Sequence, residues 1–220
     1  MGTFDLNAVL LALPILLLSL TAHEFAHAWV ALRQGDDTAY MLGRVSMNPM
    51  AHLDWIGTIL FPAIAIGTGA PLLGWARPVP TTPRKFRNFK RGTILVALAG
   101  VCANAILAVV FAILCAIIAQ VAQARGELPE FVQIFFTMCL FGVMGNVGLI
   151  LFNLLPIPPL DGHHVMYLML PPHLAQQYRA LYPYGMFILW GLVITGAVGV
   201  LVPFIRAISN VLLLPSGYSI

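Results

Sequence analysis

Apolar residues fall along this chain in long blocks, not in short alternations. Residues 6–32 are almost unbroken apolar sequence, and about 20 such residues suffice to cross the hydrocarbon core of a bilayer as a helix. Residues 92–121 and 131–155 predict two further spans, joined by the polar turn "AQARGELPE" at 122–130. Residues 184–202 predict a fourth span, which Pro203 breaks. Residues 203–220 fit a short interfacial or re-entrant helix as well as a loose tail. Residues 166–182 are mixed and contain Pro171 and Pro172. The block at 55–73 is apolar but holds Gly57, Pro62, Gly67, Gly69 and Pro71. Such backbone is tolerated at membrane depth only where protein or water covers it. It predicts a segment that enters the bilayer and returns. No internal repeat or low-complexity segment interrupts this order.

Composition supports the same class. Of 220 residues, 60% are hydrophobic and 9% charged, with mean hydropathy +0.91, against about 25% charged residues in a soluble domain. The expectation is an all-α integral membrane protein: one domain over 1–220, about four full spans and one re-entrant segment, with its core at 6–165 and a C-terminal span at 184–202. No separate soluble domain fits. The N-terminus "MGTFDLN" has no basic residue and no small-residue cleavage site follows, so the first span is expected to be retained. Cys102, Cys115 and Cys139 lie inside apolar segments without metal-ligand spacing and are expected to pack as buried side chains.

The net charge of +3 says less than where the charges lie. Arg77, Arg84, Lys85, Arg87, Lys90 and Arg91 are six of the eleven basic residues and fall in one Pro-rich loop. Between apolar spans this reads as a cytoplasmic loop and not as a nucleic-acid patch. Span 92–121 then runs outward and 131–155 returns, which brings "NLLPIPPLDG" out at the cytoplasmic side. If 55–73 turns back, "HEFAH" at 23–27 shares that side.

Those five residues carry the chemistry. His23 and His27 are i and i+4 on a helix, so both imidazoles project from one face and can reach one zinc ion. Glu24 sits where it can act on a water without being a ligand. Polar groups in a spanning helix are costly, by about 2.5–3.5 kcal/mol for a charged side chain at its centre, unless they bind something. A catalytic zinc site normally takes three protein ligands. The candidates for the third are Asp36, Asp37, His52, Asp54, Asp161, His163, His164 and His173. Asp161 stands out: it follows "PIPPL", read as a rigid extended run, and precedes Gly162, which permits a sharp turn. Its competing reading is a helix N-cap. Asn153 reads equally as a donor to developing charge or as a cap. Asn104 reads as a substrate contact or as an interhelical hydrogen bond. His52 and Asp54 read as an accessory metal or gating pair, or as a hydrogen-bonded loop that fixes the entrance.

"HEFAH" in a membrane helix, with "NLLPIPPLDG" at the end of a later one, resembles the site-2 protease family of intramembrane zinc metalloproteases. Asn153, Pro156, Asp161 and Gly162 match the family's N-x-x-P-x-x-x-x-D-G position by position. "LAGVCAN" at 98–104 resembles the family's A-G-P-x-x-N, with Val101 in place of proline. "GRVSMNPMAHLD" and "GWARPVP" resemble segments of the short bacterial members without regulatory domains. The histidines of "DGHHV" depart from the pattern, and His163 and His164 take no role from it.

The resemblance implies one zinc ion held by His23, His27 and Asp161, with Glu24 as catalytic acid/base and Asn153 holding substrate backbone or oxyanion. It further implies transmembrane protein substrates, a cell (inner) membrane location and a site near the cytoplasmic face. No nucleic-acid partner is expected. The extended "GWARPVPT" run suggests a small β element at 72–80 that takes up substrate by strand addition, with Trp75 at its membrane edge or as a plain interfacial anchor. The rival class is a zinc-binding transporter or sensor, which has no need of Glu24; a proteolytically dead scaffold would lack a motif residue, and none is missing.

Overall fold

The computed structural model describes residues 5–68 and 75–220. Among them there is no β-strand. The helices are α1 (Leu6–Gln34), α2 (Thr38–Met41), α3 (Phe61–Thr68), α4 (Phe89–Arg125), α5 (Glu130–Asn153), α6 (Asp161–Met169), α7 (Pro172–Arg179), α8 (Gly185–Ile194) and α9 (Val202–Leu213). Asp5 caps α1 by accepting from the Ala8 N–H. Gly35 ends it in the left-handed conformation, φ 107°.

α1, α4 and α5 form the centre. Gln34, Phe89 and Asn153 lie at one end of this trio, and Asp5, Arg125 and Glu130 at the other. The interior changes character along α1. Near the Asp5 end, Ile15 packs with Phe111, Cys115, Cys139, Val143 and Leu213 in an apolar layer. Next comes a buried polar layer of Ser19, Asn104 and Asn146. The two motif histidines follow. A second apolar cluster of Ala31, Phe86 and Val96 closes the Gln34 end.

Among the described residues, four helical stretches are long and apolar enough to span: Leu6–Gln34, Phe89–Arg125, Glu130–Asn153 and Ala197–Ser216. The fourth corrects the sequence expectation. The apolar run at 184–202 is split by Gly196, which has φ 73°, so α8 stops at Ile194. Pro203 sits in the first turn of α9, where its missing N–H costs nothing. It therefore starts the last span and does not end the one before it. The expected tail is that span: Leu213 is fully buried against α1, α4 and α5. Cys115 and Cys139 are buried as expected, whereas Cys102 is exposed.

The apolar segment Trp55–Thr68 begins with one π-helical turn capped by Asp54. Residues 69–74 lie outside the described residues. By Trp75 the chain is back at the start, since the Trp75 N–H donates to the Gly57 carbonyl at 2.9 Å and Thr58 Oγ1 donates to the Trp75 carbonyl at 2.8 Å. Both ends of the segment thus lie together. From Trp75 the chain runs in no regular element across the face of α1 to Thr82.

Candidate metal centre

Three electron-pair donors meet at one point. His23 Nε2 and His27 Nε2 are 3.0 Å apart, and Asp161 Oδ2 is 3.2 Å from the first and 3.4 Å from the second. Among the described residues no other group of His, Cys, Asp or Glu side chains has metal-binding geometry. His23 lies eleven residues before the end of α1, about 16 Å along the helix axis, which is within the bilayer's depth.

Each imidazole is held from behind. His27 Nδ1 donates to the Val96 carbonyl at 2.7 Å, and His23 Nδ1 donates to Asn104 Oδ1 at 2.6 Å. Both Nδ1 atoms carry the proton, so both Nε2 lone pairs face Asp161. α4 supplies these partners from one stripe, Val96, Gly100 and Asn104, at i, i+4 and i+8. Gly100 makes the approach possible: a Cβ there would lie 2.5 Å from His23 Cε1 and His27 Nε2. Its bare backbone also leaves the Val96 carbonyl open to His27.

Asp161 is the first residue of α6, not its cap, and its carboxylate makes no capping bond. The "PIPPL" run is not extended. Ile157 N–H bonds to the Leu155 carbonyl and Leu160 N–H to Ile157, so the chain turns tightly and drops Asp161 beside α1. Gly162 has no positive φ. Its part is close packing, because a Cβ would collide with the Leu154 carbonyl oxygen.

The set suits a zinc ion. Asp161 Oδ2 is buried with no hydrogen-bond donor, and it faces two nitrogens whose protons are on their far sides. Three lone pairs this close repel unless a cation joins them. Tetrahedral ligands about 2.0–2.1 Å from zinc lie about 3.3 Å from one another, close to the observed separations.

Glu24 is half-buried, and its Oε2 accepts from the Val79 N–H at 3.0 Å. The run 75–82 thus lies against the motif. Arg44 secures it by donating to the carbonyls of Arg77 and Pro78, and the buried Asp36 accepts from the Thr82 N–H.

The other expected residues add no donor to the set. Asn104 is fully buried and spent on His23, Ser19 and Asn146, so it orients a histidine and is not open to substrate. Asn153 ends α5 half-buried, with Nδ2 on the Leu149 carbonyl. His52 is buried, with Nε2 on the Ser46 carbonyl, and Asp54 caps the π-turn through Ile56 and Gly57. Both build the loop that precedes the π-turn, and neither reaches the metal donors. Trp75 packs tilted against Phe61 and edge-on to Trp190, with ring centroids 5.5 and 6.3 Å away, which ties the apolar segment to α8. The rest of the expected platform, 72–74, is outside the described residues. Burial, then the neighbouring His164, pushes His163 down to about 4, and its neutral ring stacks on Tyr178. Sequence reading missed Ser19 and Asn146, and held Arg44 and Gly100 only inside family-like segments, with no role of their own. Asn146 carried a signal, as a polar side chain inside an apolar span.

A bundle of membrane-length helices around a His-His-Asp donor set, with a glutamate beside it, defines a membrane metalloprotein of the HExxH type. The chain is 36% identical over 181 residues to "Putative zinc metalloprotease YwhC" of Bacillus subtilis (strain 168), covering 82% of this chain and 78% of that protein. It is 31% identical over 185 residues to "Putative zinc metalloprotease Rip2" of Mycolicibacterium smegmatis, covering 82% of this chain and 65% of that one. The protein of the same name from Mycobacterium tuberculosis (strain H37Rv) is 32% identical over 175 residues, with 79% and 61% covered. No family model and no solved structure matches the chain. The chain belongs to the zinc metalloprotease family of these relatives.

Proposed function

We propose that this protein is an intramembrane zinc endopeptidase of the site-2 type, cleaving peptide bonds within or near the transmembrane segments of other membrane proteins. The observation that carries this is the position of Glu24, one residue from a His23–His27–Asp161 set at bilayer depth. A transport or sensor site has no use for that carboxylate.

His23, His27 and Asp161 would hold one zinc ion. When bound, zinc supplies a Lewis acid that polarises the scissile carbonyl and acidifies water. Glu24 takes the proton of the attacking water and returns it to the leaving amine. Asn153, at the end of α5, would turn its amide from Leu149 to the substrate backbone or the developing oxyanion. The run 75–80 offers backbone partners to an unwound substrate segment. The basic loop between Arg77 and Arg91 supports a cytoplasmic position for this end of the bundle in the cell membrane.

The test is zinc content and cleavage of single-span substrates, for the natural chain and for Glu24→Gln. Zinc in both, with cleavage by the natural chain alone, supports the reading. No cleavage by either, with metal flux across vesicles retained, sinks it in favour of transport.

A further inference from the structure

Asn146 touches none of the metal donors, yet it is wired to one of them. It is fully buried in α5. Its Nδ2 donates to the Gly142 carbonyl at 2.8 Å and to Ser19 Oγ at 2.9 Å. Its Oδ1 accepts from Asn104 Nδ2 at 2.8 Å. Asn104 Nδ2 also donates to the Ser19 carbonyl at 3.3 Å, and Asn104 Oδ1 accepts from His23 Nδ1. Ser19 Oγ spends its own proton on the Ile15 carbonyl at 2.8 Å.

These bonds have a polarity. A carboxamide keeps its shape when turned end for end, so its partners must decide which end is oxygen. The Gly142 carbonyl can only accept, and Ser19 Oγ has already committed its proton. Asn146 must therefore aim its NH2 at them and its oxygen at Asn104. Asn104 must then aim its NH2 at Asn146 and its oxygen at His23. An oxygen facing Nδ1 admits only the Nδ1–H tautomer, which leaves the lone pair on Nε2, facing Asp161. Two backbone carbonyls, on α5 and α1, thus dictate the state of a histidine through two asparagines.

We propose that Asn146, supported by Ser19, is a positioning residue that sets this polarity and so fixes His23 as a zinc ligand. The inference rests on His23 binding zinc. If Asn146 were only a staple between helices, its loss would lower stability and leave the zinc affinity of the folded protein alone.

The experiment uses the full chain in detergent, with zinc affinity read by chelator competition and the melting temperature of the metal-free protein read alongside. Asn146→Leu should bind zinc about 10-fold more weakly, as for other partners of ligating histidines, with little change in metal-free melting temperature. The isosteric Asn146→Asp, uncharged in this apolar site, keeps an oxygen for Asn104 and an O–H for Gly142 and should recover most of the affinity. In an Asn104→Leu background, Asn146→Leu should add less than about a factor of two, because both act through one chain. Undiminished zinc affinity in folded Asn146→Leu, or full multiplication of the two effects, would overturn the proposal. If Asn146→Leu does not fold, nitrogen NMR of the natural metal-free chain at alkaline pH decides. A proton on His23 Nδ1 supports the proposal, and one on Nε2 overturns it. None of these readouts uses a peptide substrate, so they can fail while the protease reading stands, and the reverse.

Discussion

Glu24 and Val79 are 55 residues apart in sequence and joined by one hydrogen bond, from the Val79 N–H to Glu24 Oε2. The run that carries Val79 has no ladder of its own. Its position depends on Arg44, which is buried and donates to the Arg77 carbonyl at 2.6 Å and the Pro78 carbonyl at 3.3 Å. Arg44→Met keeps the length of the side chain and removes both donors. Cleavage should fall by about 10- to 100-fold, because small misplacements at a reacting centre are costly, while zinc content stays the same. Amide exchange at Arg77 and Val79 should quicken. Unchanged exchange there would show that Arg44 does not hold the run.

Gly100→Ala places a methyl group 2.5 Å from both imidazoles. The obstacle is a pair of rings already fixed by Val96 and Asn104, so neither can give way cheaply. Zinc affinity should fall by about 100-fold, near the upper end for groups that orient metal ligands. Gly145→Ala meets nothing within 4 Å and should bind zinc as the natural chain does. Metal analysis of the two purified proteins checks both.

Much of this was legible in the sequence because membrane helices need long apolar blocks and a metal site needs scarce polar residues. "HEFAH" and "LDG" could be paired across 134 residues by counting crossings, provided that 55–73 turns back. The last span could not, since Gly196 and Pro203 read alike as breaks in a run of apolar letters. Only packing shows that one ends a helix and the other begins one. Residues 75–82 were half legible: their prolines exclude a regular helix, but they do not reveal Glu24 as a partner. Asn104 read as well for a substrate contact as for a helix contact because spacing does not reveal which face of α4 is closed.

Acid should weaken zinc binding through the histidines, because a ligand must shed its proton before it can hold the metal. His23 and His27 must be neutral to bind. Affinity should therefore decline from mildly alkaline to mildly acidic pH, with protons released on binding. Calorimetry in buffers of different ionisation enthalpy measures that release. Binding without proton release across this range would contradict the ligand assignment.

Leu213 tests whether the last helix belongs to the core. Its side chain is fully buried among Ile15, Phe111, Cys115, Cys139 and Val143. In a bilayer the alternative to burial is also hydrocarbon, so the loss on Leu213→Ala is packing and a cavity, not transfer from water. About 2 kcal/mol is expected, the low end for Leu→Ala in soluble cores. Val211 lies on the outer face of the same helix, 66% exposed, and Val211→Ala should cost far less. Ser209 separates the two explanations that would otherwise remain for a weakened helix. Its Oγ is buried without a partner, so Ser209→Ala removes an unpaired polar group and should leave stability unchanged or raise it. If α9 only lay on the surface, all three substitutions would shift the melting temperature alike. A marked fall confined to Leu213→Ala is what a helix packed as the fourth span requires.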